Sequence, residues 1–233
     1  MTHIDDTILA GKHHIHFIGV GGSGMFPIVQ ILLSQGYAIS GSDNNPGETL
    51  DAEQAMGVTV YMGQRPENLK GAELVVYSAA IMEDNPELVA ARQMGVPVVE
   101  RSEMLGLLTR HYSDCICVSG THGKTTTTAM LTQILYGAGL DPTAVIGGKL
   151  PAIGGSGRAG SSSIMTCEAC EFVDTFLHLA PDYAVILNVD ADHLDYFGTL
   201  ENIIKSFHKF AGMATKAILY NGDDPNTCKA VEG

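Results

Sequence analysis

Positive charge is what this 233-residue chain has least of: 13 lysines and arginines stand against 26 aspartates and glutamates, a formal net charge of −13. A surface of that sign repels polyanions at long range, which excludes the non-specific attraction behind most nucleic-acid binding and docking to anionic membranes. Apolar runs long enough to span a bilayer are also lacking, as is a basic, apolar leader. The expectation is a cytoplasmic chain with neither nucleic acid nor membrane as partner. The cysteines, five in all, have no framework spacing and fit reduced thiols. Cys167 and Cys170 form a C-x-x-C with no second pair to complete a zinc site, so a redox or metal role competes there with plain packing beside a loop. What remains, 45% hydrophobic and 17% charged residues, is globular composition with room for two modest cores. Any phosphate ligand has to be held by local devices.

Such a device lies at Asp114 to Met130, DCICVSGTHGKTTTTAM. An apolar strand turns through Gly120 and Gly123 into Lys124 and a Thr-rich helix start. Backbone N–H groups at a helix N-terminus carry partial positive charge and have no partner within the helix, so they stabilise an anion. The lysine extends the cradle to the outer phosphates, and the next hydroxyl can hold Mg²⁺. The full G-x-x-x-x-G-K-[ST] spacing is not met, because Val118 stands at the first glycine position. The nucleotide-binding candidates are Gly120, Thr121, His122, Gly123, Lys124, Thr125 and Thr126; the competing reading is a glycine-rich turn before an ordinary helix.

A second glycine turn comes earlier. His13 to Val20 alternates into a strand, Gly19-Val20-Gly21-Gly22-Ser23-Gly24 satisfies G-x-G-x-x-G, and an apolar helix from Met25 to Gln35 follows. Asp43 falls where a ribose-reading carboxylate belongs. These features point to a nucleoside diphosphate without saying which. His13, His14 and His16 cluster on the strand, but its period sends only His14 and His16 to one face and no third metal ligand is evident. Strands at 38–42, 58–62, 74–79 and 96–100, with helical patterns at 50–56 and 86–94, continue an open parallel α/β sheet whose ligand side carries Asp43 and the Ser78-Ala79-Ala80 turn.

Two phosphate turns about a hundred residues apart do not share one switch point comfortably, which places a domain boundary near residue 110: a Rossmann-like parallel-sheet domain at 1–110 and a phosphate-loop α/β domain at 111–233. The glycine-rich run 147–160 reads as disordered linker or as a mobile substrate loop. Strands expected at 162–166 and 183–189 end in acidic clusters containing Glu168, Glu171, Asp190, Asp192 and His193; Thr125, Glu171 and His193 are the candidate Mg²⁺ ligands. A last strand at 216–221 precedes a helix start at Asp223-Asp224-Pro225, an incomplete sheet expected of a piece of a longer protein.

Together these stretches resemble the Mur ligase family. The resemblance is carried by GVGGSGM at 19–25, Ser40-Gly41-Ser42-Asp43, Tyr77-Ser78-Ala79-Ala80-Ile81, GTHGKTTTTAM at 120–130, EACEFVDTFL at 168–177 and NVDADHLDYFG at 188–198. Many relatives read E-A-D-E-S-D where this chain has Cys170, Phe172 and Val173. The resemblance implies a UDP-sugar domain followed by the larger part of an ATPase domain, without the amino-acid domain. It implies ATP and Mg²⁺ as cofactors, with UDP-N-acetylmuramate and L-alanine as substrates. The sugar's lactoyl carboxylate would take the γ-phosphate of ATP, and the amine would then displace phosphate from the acyl phosphate; this stretch alone would bind ligand without completing ligation. The resemblance also assigns roles. Gly21, Gly22, Ser23, Gly24 and Met25, with Asp43 and Ser78, form the substrate-binding set. Lys124, Glu171, His193 and His122 form the catalytic set, His122 either approaching the acyl phosphate or acting only through loop conformation. Some branches carry a carbamylated lysine near the metals, and the resemblance leaves open whether Lys205 or Lys209 corresponds to it. Two other activities compete: the related ligase that attaches recycled murein peptide to the same sugar nucleotide, and a nicotinamide-dependent oxidoreductase, which the first glycine turn and Asp43 alone would favour.

Overall fold

The computed structural model describes residues 5–232. They divide into two compact units between Met104 and Leu105.

In the first unit, β1 (His14–Ile18), β2 (Ala38–Asp43), β3 (Thr59–Met62), β4 (Leu74–Tyr77) and β5 (Val98–Glu100) form a parallel sheet in the order β3-β2-β1-β4-β5. Helices α1 (Phe26–Ser34), α2 (Glu48–Ala55) and α3 (Pro86–Gln93) make the crossovers, and α4 (Arg101–Thr109) follows β5. The central strand β1 is buried from Ile15 to Ile18 rather than on alternate residues, as expected of a parallel strand covered on both faces. The order reverses beside β1, so the turns after β1 and β4 open a crevice between them.

The histidine cluster is part of this sheet. Ser40 Oγ sits 2.8 Å from both His14 Nε2 and His16 Nδ1, and buried His16 Nε2 lies 3.5 Å from Glu87 Oε2. Burial raises the Glu87 pKa, but hydrogen bonds with His16, Ser42 and Asn68 outweigh it and hold the carboxyl below its ordinary value. These side chains pair with one another inside the fold, although His16 Nε2 has no aligned hydrogen bond, and among the described residues they form no group that could hold a metal ion.

In the second unit, β6 (Asp114–Ser119), β7 (Thr143–Leu150), β8 (Gly155–Arg158), β9 (Ile164–Glu168), β10 (Tyr183–Ile186) and β11 (Ala217–Tyr220) are ordered β11-β10-β6-β9-β7-β8, parallel except for the β7–β8 pair. Four helices belong here: α5 (Lys124–Gly137), α6 (Leu194–Phe197), α7 (Leu200–Ala211) and α8 (Pro225–Val231). Helix α7 buries Ile203, Phe207 and Phe210 along one face, the spacing of a core-facing stripe. The Phe176 ring stacks on Phe210 at 4.7 Å and meets Phe207 edge-on at 5.2 Å. Among the described residues no helix is long and apolar enough to cross a membrane.

The glycine-rich run is neither linker nor loose loop. Residues 147–158 complete the β7–β8 hairpin around a single 3₁₀ turn at Pro151–Ile153. Two of its glycines are close-approach positions: a Cβ on Gly147 would lie 2.6 Å from both Glu168 carboxyl oxygens, and one on Gly160 2.2 Å from the Asp141 carbonyl. Arg158 pairs with Asp141 and lies 4.4 Å over the Tyr136 ring, fixing the hairpin's return. Three of the cysteines are core residues as well: Cys115, Cys117 and Cys167 are buried side chains of β6 and β9, while Cys170 is exposed and Cys228 half-buried.

Two expected outcomes test this packing. The N–H groups of Gly19 and Val20 donate to the Ser42 carbonyl at 2.8 and 3.0 Å, pressing the turn onto β2 where a Cβ on Gly41 would lie 2.5 Å from Val20 Cβ. Gly41→Ala should destabilise the fold by about 1–3 kcal/mol, read in urea melts. The second concerns Glu53, which is buried on α2 with no hydrogen-bond partner for either carboxyl oxygen. Burial, then repulsion from Asp43, pushes its pKa from 4.5 up to about 8. Between these values the folded chain keeps a proton that the unfolded chain has lost, so stability falls as pH rises through this window and the full cost is present above it. Glu53→Gln should therefore melt progressively higher than the parent as pH goes from 5 to 8.5. A constant difference between the two melts would show that Glu53 does not titrate there.

Candidate functional site

In the first unit the turn after β1 is held open by its own backbone. Gly19 takes φ +79°, the Gly22 N–H donates to the Gly19 carbonyl at 3.2 Å, and Met25 N–H to the Gly22 carbonyl at 2.8 Å. The N–H groups of Ser23 and Gly24 have no acceptor among the described residues, which leaves two donors at the N-terminus of α1 for an anion. Gly21 N–H is already engaged, donating to Asp43 Oδ2 at 3.0 Å, while Asp43 Oδ1 accepts from Asn45 N–H at 3.0 Å. Met25 differs from the sequence expectation. Its side chain is buried under the turn and its N–H is spent within it, so it supports the turn rather than facing a ligand.

Beside the turn is a cleft of about 590 Å³, lined by Gly19, Gly22, Asp43 and Ser78 together with side chains that sequence reasoning missed. These are amides: Gln64 Oε1 accepts from Asn44 at 3.3 Å and from Asn85 at 2.6 Å, and all three line the cleft. Arg101 was missed as a site residue too. Its guanidinium packs on Gly24, where a Cβ would lie 3.3 Å from Nη1, and it has no ion pair among the described residues. The signal was present only as a cation at the carboxyl end of β5.

In the second unit the turn after β6 is set by Gly120 (φ +140°) and Gly123 (φ +84°). Asn188 clamps it. The Asn188 carbonyl accepts Thr121 N–H at 3.1 Å, its side-chain oxygen accepts His122 N–H at 2.8 Å, and its side-chain NH₂ donates to the His122 carbonyl at 3.0 Å. Thr121 Oγ1 in turn accepts Asp190 N–H at 2.9 Å. So held, the N–H groups of Gly123, Lys124, Thr125 and Thr126 have no acceptor among the described residues. Four convergent donors with a lysine beside them form an oxyanion cradle.

The side chains around the cradle are paired in a definite way. Lys124 Nζ donates to the Gly120 and Thr121 carbonyls at 2.7 and 3.2 Å and to Glu171 Oε1 at 3.0 Å, with Glu171 Oε2 at 2.8 Å. Thr125 Oγ1 donates to Glu168 Oε1 at 2.9 Å, and Glu168 Oε2 accepts Gly147 N–H at 2.6 Å. Sequence reasoning put Glu171 with Thr125; the fold puts Glu168 there, because β9 runs to Glu168, two residues beyond the expected end. His193, at φ +51° before α6, rests against the Phe172 ring at 4.7 Å with Nδ1 4.0 Å from Asp192 Oδ1. Exposed His122 has Nε2 3.8 Å from Asp190 Oδ2. No group of three His, Cys, Asp or Glu side chains among the described residues could by itself hold a metal ion. The donor set at Thr125 and Glu168, a hydroxyl and a carboxylate, does fit a Mg²⁺ that takes its other oxygens from phosphate and water.

Comparison with known proteins agrees with both units. Residues 14–113 match the Mur ligase family, catalytic domain, and residues 118–232 the Mur ligase middle domain. A UDP-N-acetylmuramate–L-alanine ligase of Acetivibrio thermocellus is 47% identical over 197 residues, covering 84% of this chain and 42% of the relative. One of Caldanaerobacter subterraneus is 43% identical over 221 residues, 94% of this chain and 48% of the relative. Among solved structures, the UDP-N-acetylmuramate-alanine ligase of Thermotoga maritima has a TM-score of 0.85 at 29% identity, covering 93% of this chain and 51% of that one. The UDP-N-acetylmuramate:L-alanyl-gamma-D-glutamyl-meso-diaminopimelate ligase of Neisseria meningitides has 0.84 at 28%, covering 95% and 75%. The chain thus spans about half the length of the curated relatives it matches. With consecutive Mur ligase domains matched at residues 14–113 and 118–232, the chain belongs to the Mur ligase family.

Proposed function

We propose that this chain supplies the sugar-nucleotide and ATP sites of a ligase that joins L-alanine to the lactoyl carboxylate of UDP-N-acetylmuramate in peptidoglycan precursor synthesis. The observation that carries the reading is the cradle of four unpaired N–H groups from Gly123 to Thr126 with Lys124 and Thr125 at its mouth. Phosphoryl transfer asks for positioning and charge neutralisation more than covalent help. The amides and Lys124 would hold the β- and γ-phosphates in line for the incoming carboxylate and neutralise charge as the acyl phosphate forms. Thr125 and Glu168 would hold a Mg²⁺ ion, which supplies positive charge to the phosphate oxygens. The amine of L-alanine would then attack the acyl carbon, forming the amide and releasing phosphate.

In the first unit, Ser23 and Gly24 N–H groups would receive the UDP diphosphate, and the cleft with Asp43, Ser78, Asn44 and Gln64 would take the nucleoside. The alanine-adding reading is preferred over the ligase for recycled murein peptide because relatives named for alanine addition are 43–47% identical to this chain; solved structures of the two kinds, at 29% and 28%, do not separate them. Five free cysteines accord with the reducing cytoplasm as its compartment.

Titration calorimetry tests the two sites separately. The chain should bind UDP-N-acetylmuramate and give no heat with NADH; the reverse result would restore the oxidoreductase reading. Lys124→Ala should weaken ATP binding at least about tenfold, the loss of one charge-assisted contact, while the affinity for UDP-N-acetylmuramate stays within a few-fold. An unchanged ATP affinity would remove Lys124 from the triphosphate site.

A further inference from the structure

The glutamate that ends β9, Glu168, and the next one, Glu171, lie three residues apart and reach different partners. Glu168 accepts from the Thr125 hydroxyl and from Gly147 N–H. The Glu171 carboxylate, on a residue 2% exposed, has Lys124 as its only side-chain or backbone donor among the described residues, and its Oε2 lies 2.8 Å from Nζ without an aligned hydrogen bond. An ammonium has three N–H donors, and here Gly120, Thr121 and Glu171 take all three. The lysine that would meet a triphosphate is therefore fully engaged in the ligand-free chain, and a buried carboxylate depends on it for compensation.

From this arrangement we infer that Glu171 is a positioning residue acting through Lys124: it is the counter-ion that parks the lysine, and the γ-phosphate must displace it. The inference rests on the ATP reading above and gives it a sign. A metal ligand strengthens binding of the magnesium–nucleotide complex, so its loss weakens that complex and leaves metal-free nucleotide alone. A competing counter-ion opposes the phosphate for one ammonium, so its loss favours nucleotide whether or not metal is present. Gly147 completes the division of labour, since any side chain there would collide with the Glu168 carboxylate.

The experiment is ATP titration of the 233-residue chain in EDTA and in excess Mg²⁺, for the parent, Glu171→Gln and Glu168→Gln, with circular dichroism confirming that each folds. For Glu171→Gln the expected result is ATP binding about threefold or more tighter in EDTA, with the ratio of affinities with and without Mg²⁺ unchanged; for Glu168→Gln that ratio should fall by tenfold or more. A Glu171→Gln chain that binds ATP no more tightly in EDTA, or one whose Mg²⁺ ratio drops, overturns the inference. If Glu171→Gln does not fold, Glu171→Asp, which withdraws the charge by one methylene, is read by the same two quantities and should shift the first in the same direction. A parent chain that binds no ATP in either condition would instead defeat the underlying nucleotide reading, an outcome distinct from all of these.

Discussion

Asn188 does for the phosphate loop what a neighbouring strand does for a strand. It accepts and donates on either side of His122 and offers its own carbonyl to Thr121. A six-residue turn containing two glycines with positive φ has a large conformational entropy to lose, and its own donors are needed for ligand. The order must be imposed from outside. Asn188 supplies it by taking the two amides at the start of the turn and leaving the four that follow unpaired. Because Asn188 lies just past β10, beside β6 in the sheet, cradle geometry is tied to the register of two adjacent strands. The polar network is satisfied on one side so that it can be unsatisfied on the other.

Much of this was legible in residue order. A strand, a glycine turn and a helix recur twice with glycines at the spacing an anion turn demands, and the parallel sheets follow from alternation of short apolar strands with helices. The helix start at Asp224 before Pro225 was equally readable, because it depends on residues close in sequence.

What was not legible depends on register and on long-range pairing. Whether Glu168 or Glu171 meets Thr125 turns on where β9 stops, and Ser161 and Ser162 are drawn out of that strand by Asp141, which accepts from Ser161 N–H at 2.7 Å and from Ser162 Oγ at 3.0 Å. The run 147–160 looks like linker because glycine is rich there, yet Gly147 lies close to Glu168 and Gly160 to Asp141, contacts that no local pattern announces. Glu53 is the opposite case. A carboxyl on a helix that reads as surface is folded inward, and its cost appears only as a raised pKa.

Two anion-binding turns in a chain of net charge −13 raise the question of how any cation stays available in them. The units answer differently. In the second, Lys124 is reserved by Glu171 within a site from which other carboxylates are kept by their own hydrogen bonds, Glu168 among them. In the first, Arg101 is flanked by Glu100 and Glu103, either of which could neutralise it; but Glu100 Oε2 accepts Ser102 N–H at 2.7 Å and Glu103 Oε2 accepts Glu100 N–H at 3.1 Å. One carboxyl oxygen of each acid is engaged by backbone N–H groups at the start of α4, while Glu100 Oε1 is buried without a hydrogen-bond partner among the described residues. Capping a helix and sparing a guanidinium are thus one arrangement. An acidic chain can keep a cation free beside an anion turn when the nearest carboxylates have backbone N–H groups to satisfy first, and that condition follows from where β5 ends and α4 begins.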